Sequence, residues 1–254
     1  MALSVHPLSL GEIELDHSFT VWQAHIGKNI WSPTTAWLIL GGEEPILVDT
    51  SFRSVEDAKS CQGLTCRRTP EQSLGKQLRK RGLRLAEVRH IIHTHVHMDH
   101  AGQDSLFPTA KIYVQRRELQ NAAAPNMYPA PFYDRLNVAR LVHDLWNRVE
   151  LLDGDSELFP GVRCVMMPGH TPGHQAVYVD TPSGQTIIAG DAAMNVRYNV
   201  LQLIPPGFLD NMAETMNSLR RLARKGRHIL CTHDEEVFGL YPEGISYKLK
   251  GRII

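Results

Sequence analysis

Short apolar runs recur along the chain, and several end abruptly on Gly, Pro, His or Asp. Val88-Arg89-His90-Ile91-Ile92, the segment 162–167, Thr186-Ile187-Ile188-Ala189 and His228-Ile229-Leu230-Cys231 each have the length and β-branched content of a buried strand. Trp37-Leu38-Ile39-Leu40 and Pro45-Ile46-Leu47-Val48-Asp49-Thr50, joined by Gly41-Gly42-Glu43-Glu44, read as a hairpin. Residues 1–30 alternate more loosely, with Leu8, Leu10, Ile13, Leu15, Phe19 and Trp22 as strand anchors, and Ile30, Trp31 and Pro33 break the pattern. Further strands are expected over Lys111-Ile112-Tyr113-Val114, 175–180 and 185–190, the last two joined by the turn Asp180-Thr181-Pro182-Ser183-Gly184.

Between these runs the period changes to that of a helix. Pro70-Glu71 opens a helix running to Arg81, with Leu74 and Leu78 inward and Gly82 as its stop. Residues 116–150 read as mostly helical, interrupted by the Pro-rich stretch 124–131, with Val138, Leu141, Leu145 and Val149 at helical spacing. Asp210 caps a helix through Lys225, closed by Gly226, with Met212, Met216, Leu219 and Ala223 as its apolar stripe. Residues 52–70 and 192–209 read as loops. Both halves carry strands followed by helices, which predicts an α/β sandwich with helices outside two sheets, an αββα order. No repeat and no long linker divides the chain, so 1–254 reads as one domain.

Composition narrows the function. Lys+Arg 27 balance Asp+Glu 27 in 254 residues, so no basic field invites nucleic acid. No apolar stretch reaches membrane-spanning length, and the N-terminus lacks the pattern of a signal peptide, so a cytoplasmic address is expected. Cys61, Cys66, Cys164 and Cys231 form no CxxC pair; Cys61 and Cys66 are close enough for a local disulfide, but reduced thiols are expected. The 13 histidines are the unusual feature.

Many of these histidines fall at strand ends. His93-Thr94-His95-Val96-His97-Met98-Asp99-His100 follows the 88–92 run. Residues i and i+2 of extended chain point the same way, so His95 and His97 can hold one cation, while Asp99 and His100, where the loop turns, can face a second. His170 lies in Pro168-Gly169-His170-Thr171-Pro172-Gly173-His174, Asp191 follows Ala189-Gly190, and His233 follows Cys231-Thr232. Polar groups this dense are costly to bury unpaired, and coordination removes that cost. His143, at a helical position, reads as an ordinary surface histidine.

With these motifs in view, the chain resembles the metallo-β-lactamase superfamily, and within it the small N-acyl-homoserine-lactone lactonases. HxHxDH at 95–100, His170, Asp191 and His233 match that group in order. The resemblance implies the αββα sandwich and two divalent cations, with zinc as the default and manganese, iron or cobalt as alternatives. It implies that His95, His97 and His170 hold the first cation, that Asp99, His100 and His233 hold the second, and that Asp191 bridges them. The implied reaction is opening of a lactone ring by a hydroxide bridging the metals, with the pKa of bound water lowered to about 7. Asp99 is the candidate to pass a proton to the leaving oxygen. Asp49 is either a simple turn residue or the acceptor that orients a ligand histidine. An insertion around 116–150 is expected to form a pocket wall presenting Tyr128, Phe132 and Tyr133.

One position departs from that group. Its members carry a Tyr three residues after the bridging Asp, whereas Asp191-Ala192-Ala193-Met194 places Met194 there, and Met donates no hydrogen bond. Tyr198 or Tyr128 is the candidate replacement. The departure leaves room for another small lactone, a cyclic amide, a β-lactam or a glyoxalase-II-like thioester as substrate. A diiron redox protein on the same fold lacks its flavin domain here, and a non-catalytic metal-binding protein is the remaining alternative. The expected partner is a small molecule, with the chain a monomer or homodimer.

Overall fold

A computed structural model describes residues 2–225 and 228–245. Its first sheet contains β1 (Ser4–Asp16), β2 (Asn29–Leu40), β3 (Ile46–Val48), β4 (Cys66–Arg67), β5 (His90–Ile92), β6 (Lys111–Gln115) and β7 (Val149–Leu152), in the order β4-β1-β2-β3-β5-β6-β7. The second contains β8 (Ser156–Phe159), β9 (Val162–Met166), β10 (Gln175–Thr181), β11 (Gly184–Gly190) and β12 (His228–Cys231), in the order β12-β11-β10-β9-β8. The helices are α1 (His17–Thr20), α2 (Val55–Gln62), α3 (Leu74–Lys80), α4 (Arg116–Ala123), α5 (Arg135–Val142), α6 (Met212–Lys225) and α7 (Glu236–Leu240).

Strand alternation divides the core into layers. Trp37, Ile39, Ile46, Val48 and Ile92 face Val162, Cys164, Val177, Ile188 and Leu230 of the second sheet. Their sequence neighbours Ala36, Leu38, Leu47 and Ile91 turn the other way, packing with Leu74 and Leu78 of α3 and Leu141 of α5. On the far side Tyr178, Ile187 and Ala189 pack with Leu219 and Leu222 of α6. The result is the expected αββα sandwich. β3, β5 and β6 run parallel, as do β11 and β12, so the carboxyl ends of β3 and β5 lie side by side.

Several sequence expectations are corrected. Ile30, Trp31 and Pro33 do not break a strand; they lie in β2, where Pro33 pairs with Glu12. At Pro33 β2 has run past β3, which pairs only as far as Trp37, so a missing N–H is tolerated there. Residues 52–70 are not wholly loop, since they hold α2 and β4; Ser54 caps α2 by accepting from Asp57 N–H. The helix expected from Pro70 to Arg81 is split into a 3-10 turn, Pro70–Gln72, and α3, with Gly82 left-handed beyond it. Val149 belongs to β7 rather than to a helix, and a π-helical turn, Val196–Val200, interrupts the expected loop 192–209. Asn211, not Asp210, caps α6, its side chain accepting from Glu214 N–H at 3.0 Å. The buried face of α6 is Thr215, Ser218, Leu219 and Leu222, with Ala223 exposed, and the expected stop Gly226 lies outside the described residues. All four cysteines are free, Cys61 exposed and the others buried. Among the described residues no helix is long and apolar enough to cross a membrane.

Candidate metal centre

The loop after β5 is fixed from below before it presents any ligand. Asp49, left-handed at φ 62° where β3 ends, accepts from Thr94 N–H at 2.8 Å and from Thr94 Oγ1 at 2.8 Å. It also accepts from His100 Nδ1 at 2.8 Å. Because β3 and β5 are parallel neighbours, the hairpin residue Asp49 arrives beneath the loop it orients.

Seven side chains from four strand ends converge above it. His97 Nδ1 lies 3.0 Å from both His95 Nε2 and His170 Nε2. Asp99, His100 and His233 form a second group, and His95, His100 and Asp191 a third that joins the two. Asp191 spans them: its Oδ2 is 3.5 Å from His170 Nε2 and 3.3 Å from His233 Nε2, and its Oδ1 is 3.4 Å from His100 Nε2. Asp99 Oδ2 is 3.4 Å from His233 Nε2.

The donor set fits divalent cations. Most ring nitrogens on the outer side have a partner that requires them to carry the proton. His170 Nδ1 donates to Phe208 O and His233 Nδ1 to Pro33 O, both at 2.9 Å. His95 Nδ1 donates to Thr94 Oγ1 at 3.1 Å, which passes its own proton toward Asp49. In their neutral forms the inward nitrogens of His95, His100, His170 and His233 would therefore carry lone pairs, open to a cation in place of a proton. His97 Nδ1 stands 3.0 Å from each of two other inward ring nitrogens, a cluster of three that suits one cation. His100 Nε2 and Asp191 Oδ1 are buried without a hydrogen-bond partner, the state expected of ligand atoms. His97 Nε2 is also unpartnered and is walled by Phe132, Tyr133 and Phe208.

Electrostatics separates the two groups. Burial, followed by the charges of neighbouring imidazoles, holds His95 and His97 well below the ordinary histidine range, so both are neutral. Burial also lowers His233, but Asp191 and Asp99 outweigh it and raise this imidazole to about 10. Burial pushes the Asp49 carboxyl up, yet the charge and hydrogen bond of His100, with His93 adding to them, hold it down at about 2. Positive charge is thus favoured beside Asp99 and Asp191, as a proton or as a metal.

An apolar cleft opens over these ligands. Its floor is His97, Asp99, His170, Asp191 and His233, and its walls are Ile13, Leu15, Phe19, Phe132, Met194 and Phe208. Met98 N–H donates to Phe132 O at 2.7 Å, tying the wall to the metal loop. Gly207 brings the opposite wall in: a Cβ there would stand 1.6 Å from Ser18 O, and Gly207 and Phe208 both donate to Phe19 O. Of the expected substrate contacts, Phe132 and Met194 line the cleft. Tyr128 is exposed and rests against Phe208 at 5.4 Å. Tyr133 and Tyr198 do not line it. Tyr133, just after the 3-10 turn 130–132, is buried edge-on to His97, with its hydroxyl accepting from Asn121 Nδ2. Tyr198 lies in the π-helical turn, against His17. His143 is exposed, as expected.

Comparison with known protein families matches residues 29–233 to the metallo-beta-lactamase superfamily. The chain belongs to this superfamily. Among its relatives, the N-acyl homoserine lactonase AiiA of Bacillus thuringiensis subsp. kurstaki is 28% identical over 251 residues, which cover 92% of this chain and 96% of that enzyme. AttM of Azorhizobium caulinodans, also an N-acyl homoserine lactonase, is 30% identical over 183 residues, 67% of each chain. A solved N-acyl homoserine lactone hydrolase, with the product N-hexanoyl-L-homoserine at its catalytic metal centre, superposes with a TM-score of 0.83. It is 26% identical, over 96% of this chain and 100% of that one.

Within this metallo-β-lactamase site, sequence reasoning missed residues that act at a distance. His174 Nε2 accepts from Asp191 N–H at 3.0 Å and so orients the acid shared by the groups. His93, wholly buried, is hydrogen-bonded through Nε2 to Asp104 at 2.9 Å and faces Asp49 at 3.6 Å. Phe208 and Glu118 were not singled out either. An aromatic after Pro205-Pro206-Gly207 is a usable signal for a cleft wall, but nothing local marks Glu118.

Proposed function

We propose that this chain is a metal-dependent hydrolase that opens the ring of an N-acyl homoserine lactone or another small lactone with an apolar substituent. The observation that carries this reading is an apolar, partly aromatic cleft whose floor is three imidazoles and two carboxylates of the seven-residue cluster. The lactonase relatives support the same substrate class.

In this reading His95, His97 and His170 would hold one divalent cation and Asp99, His100 and His233 another, with Asp191 within reach of both groups. When bound, such cations supply Lewis acidity toward a carbonyl oxygen and bring water within reach of ionisation near neutral pH. The protein does the rest. Asp49 and Thr94 fix the tautomers of His100 and His95. Phe19, Phe132 and Phe208 take the apolar substituent, exclude water and leave the ring over the floor. Asp99 is the more open of the two acids, its side chain 12% exposed against 4% for Asp191, and it carries the proton to the leaving oxygen. The segment 116–150 acts as the pocket-forming insertion through Phe132.

Met194 favours a second reading on the same site. It lines the cleft where a hydroxyl donor is expected, and neither Tyr128 nor Tyr198 takes its place among the lining residues. A cyclic amide or thioester is therefore the alternative substrate. Turnover of acylated γ-lactones, thioesters and β-lactams by one preparation tests the choice. Lactone turnover that disappears in His97→Ala, with thioesters inert, is expected; thioester turnover with inert lactones overturns it.

A further inference from the structure

Glu118 is a fully buried carboxylate outside the ligand set, and it touches both loops that bring the three-histidine group together. Its Oε1 accepts from Val96 N–H at 3.1 Å, and Val96 stands between His95 and His97. Its Oε2 accepts from Thr171 Oγ1 at 2.6 Å and from Gly173 N–H at 3.2 Å, and Thr171 follows His170. The approach is close: a Cβ on Gly173 would stand 2.1 Å from Glu118 N. A carboxylate accepts at both oxygens and donates at neither, so it suits three converging donors as no neutral side chain of that size does.

We infer that Glu118 is a positioning residue that staples the 95–97 loop to the 170–173 loop and thereby assembles the three-histidine group before a cation arrives. This inference rests on the reading that the group holds a cation. The second group takes Asp99 and His100 from the first loop and His233 from beyond β12, and draws nothing from the 170–173 loop. Loss of the staple therefore acts on one group. In Glu118→Gln the volume is kept, but an NH2 must face either Val96 N–H or the Thr171 and Gly173 donors, so one side of the staple turns repulsive.

The test measures zinc bound per chain across buffered free-zinc concentrations, for wild type, Glu118→Gln and Thr171→Val, with the melting of each metal-free chain followed alongside. The expected result is that one zinc equivalent weakens by about 10–100-fold in Glu118→Gln while the other is retained. Thr171→Val shifts the same equivalent less. The shift persists in a His233→Ala background, where the three-histidine group is the one left intact. Two equivalents bound as in wild type, or both weakened alike, overturn the inference and leave the metal reading standing. If Glu118→Gln does not fold, an unshifted Thr171→Val curve overturns it. A wild-type chain that binds no zinc removes both.

Discussion

His100 Nδ1 donates to Asp49 Oδ2 at 2.8 Å, so a residue at the end of β3 sets the tautomer of a proposed ligand histidine in the loop after β5. Asp49 has Thr94 as a second partner and its carboxyl is held down at about 2 against the cost of burial. In Asp49→Asn the amide cannot accept from all three donors. The expected outcome is a 10–100-fold loss of metal affinity, about the usual cost of removing such a partner, with the fold retained. Metal titration of the purified variant checks it, and an unchanged affinity contradicts it.

On the proposed reading, the cleft walls should set the preference for substituent length. Phe132 and Phe208 pack at 4.2 Å between ring centres, and Phe19 packs at 5.8 Å against Phe208. Truncating one of them removes apolar surface that a long chain would cover. Phe132→Ala is expected to lower kcat/KM roughly tenfold for a hexanoyl or longer lactone, and less for butanoyl. An equal loss across chain lengths assigns Phe132 to holding the metal loop instead.

Met194 is a site where activity toward acyl-homoserine lactones should be gained. Met194→Tyr places a hydroxyl donor at the cleft wall, and one such donor to a developing oxyanion is worth about 10²-fold in kcat. Steady-state kinetics on one γ-lactone compares the two chains. A variant no faster than wild type shows that the substrate does not call for a donor there.

His174 makes stability depend on pH. Burial first, and the charge of His170 next, hold its imidazole down at about 3, against an ordinary 6.5. Between these values the unfolded chain binds a proton that the folded chain does not. The contribution is therefore present above about pH 6.5 and is lost as pH falls toward about 3, by about 1.4 kcal/mol per unit. Urea unfolding of the metal-free protein at pH 7 and pH 5 should show a smaller difference in His174→Gln than in wild type. An equal difference contradicts the assignment.

The parts of this site that were legible in the sequence are those with local causes. His95 and His97 stand out because they are two apart just after an apolar run, and His170, Asp191 and His233 because each follows one. The layers followed from alternation, as Ala36-Trp37-Leu38-Ile39 shows by sending successive side chains to opposite cores. What escaped has causes far along the chain. Glu118 looks like any helical glutamate until the 170–173 loop lies on it. Ile13, Leu15 and Phe19 read as strand anchors in the sequence, and only the approach of Gly207 to Ser18 makes them face Phe208 across a cleft. Tyr133 and Tyr198 have the composition of wall residues, but Tyr133 is held against His97 and Asn121 and Tyr198 stands against His17. Pro33 looked like a breaker because its place beyond the end of β3, where its carbonyl serves His233, is a tertiary fact.

The central claim is that the converging imidazoles and the acids Asp99 and Asp191 hold two cations on which hydrolysis depends. Bound metal and lactone turnover, measured on one preparation before and after chelation, test it most directly. Two metal equivalents per chain, turnover lost on their removal and regained with zinc, are predicted. Full turnover by a preparation containing no metal contradicts it.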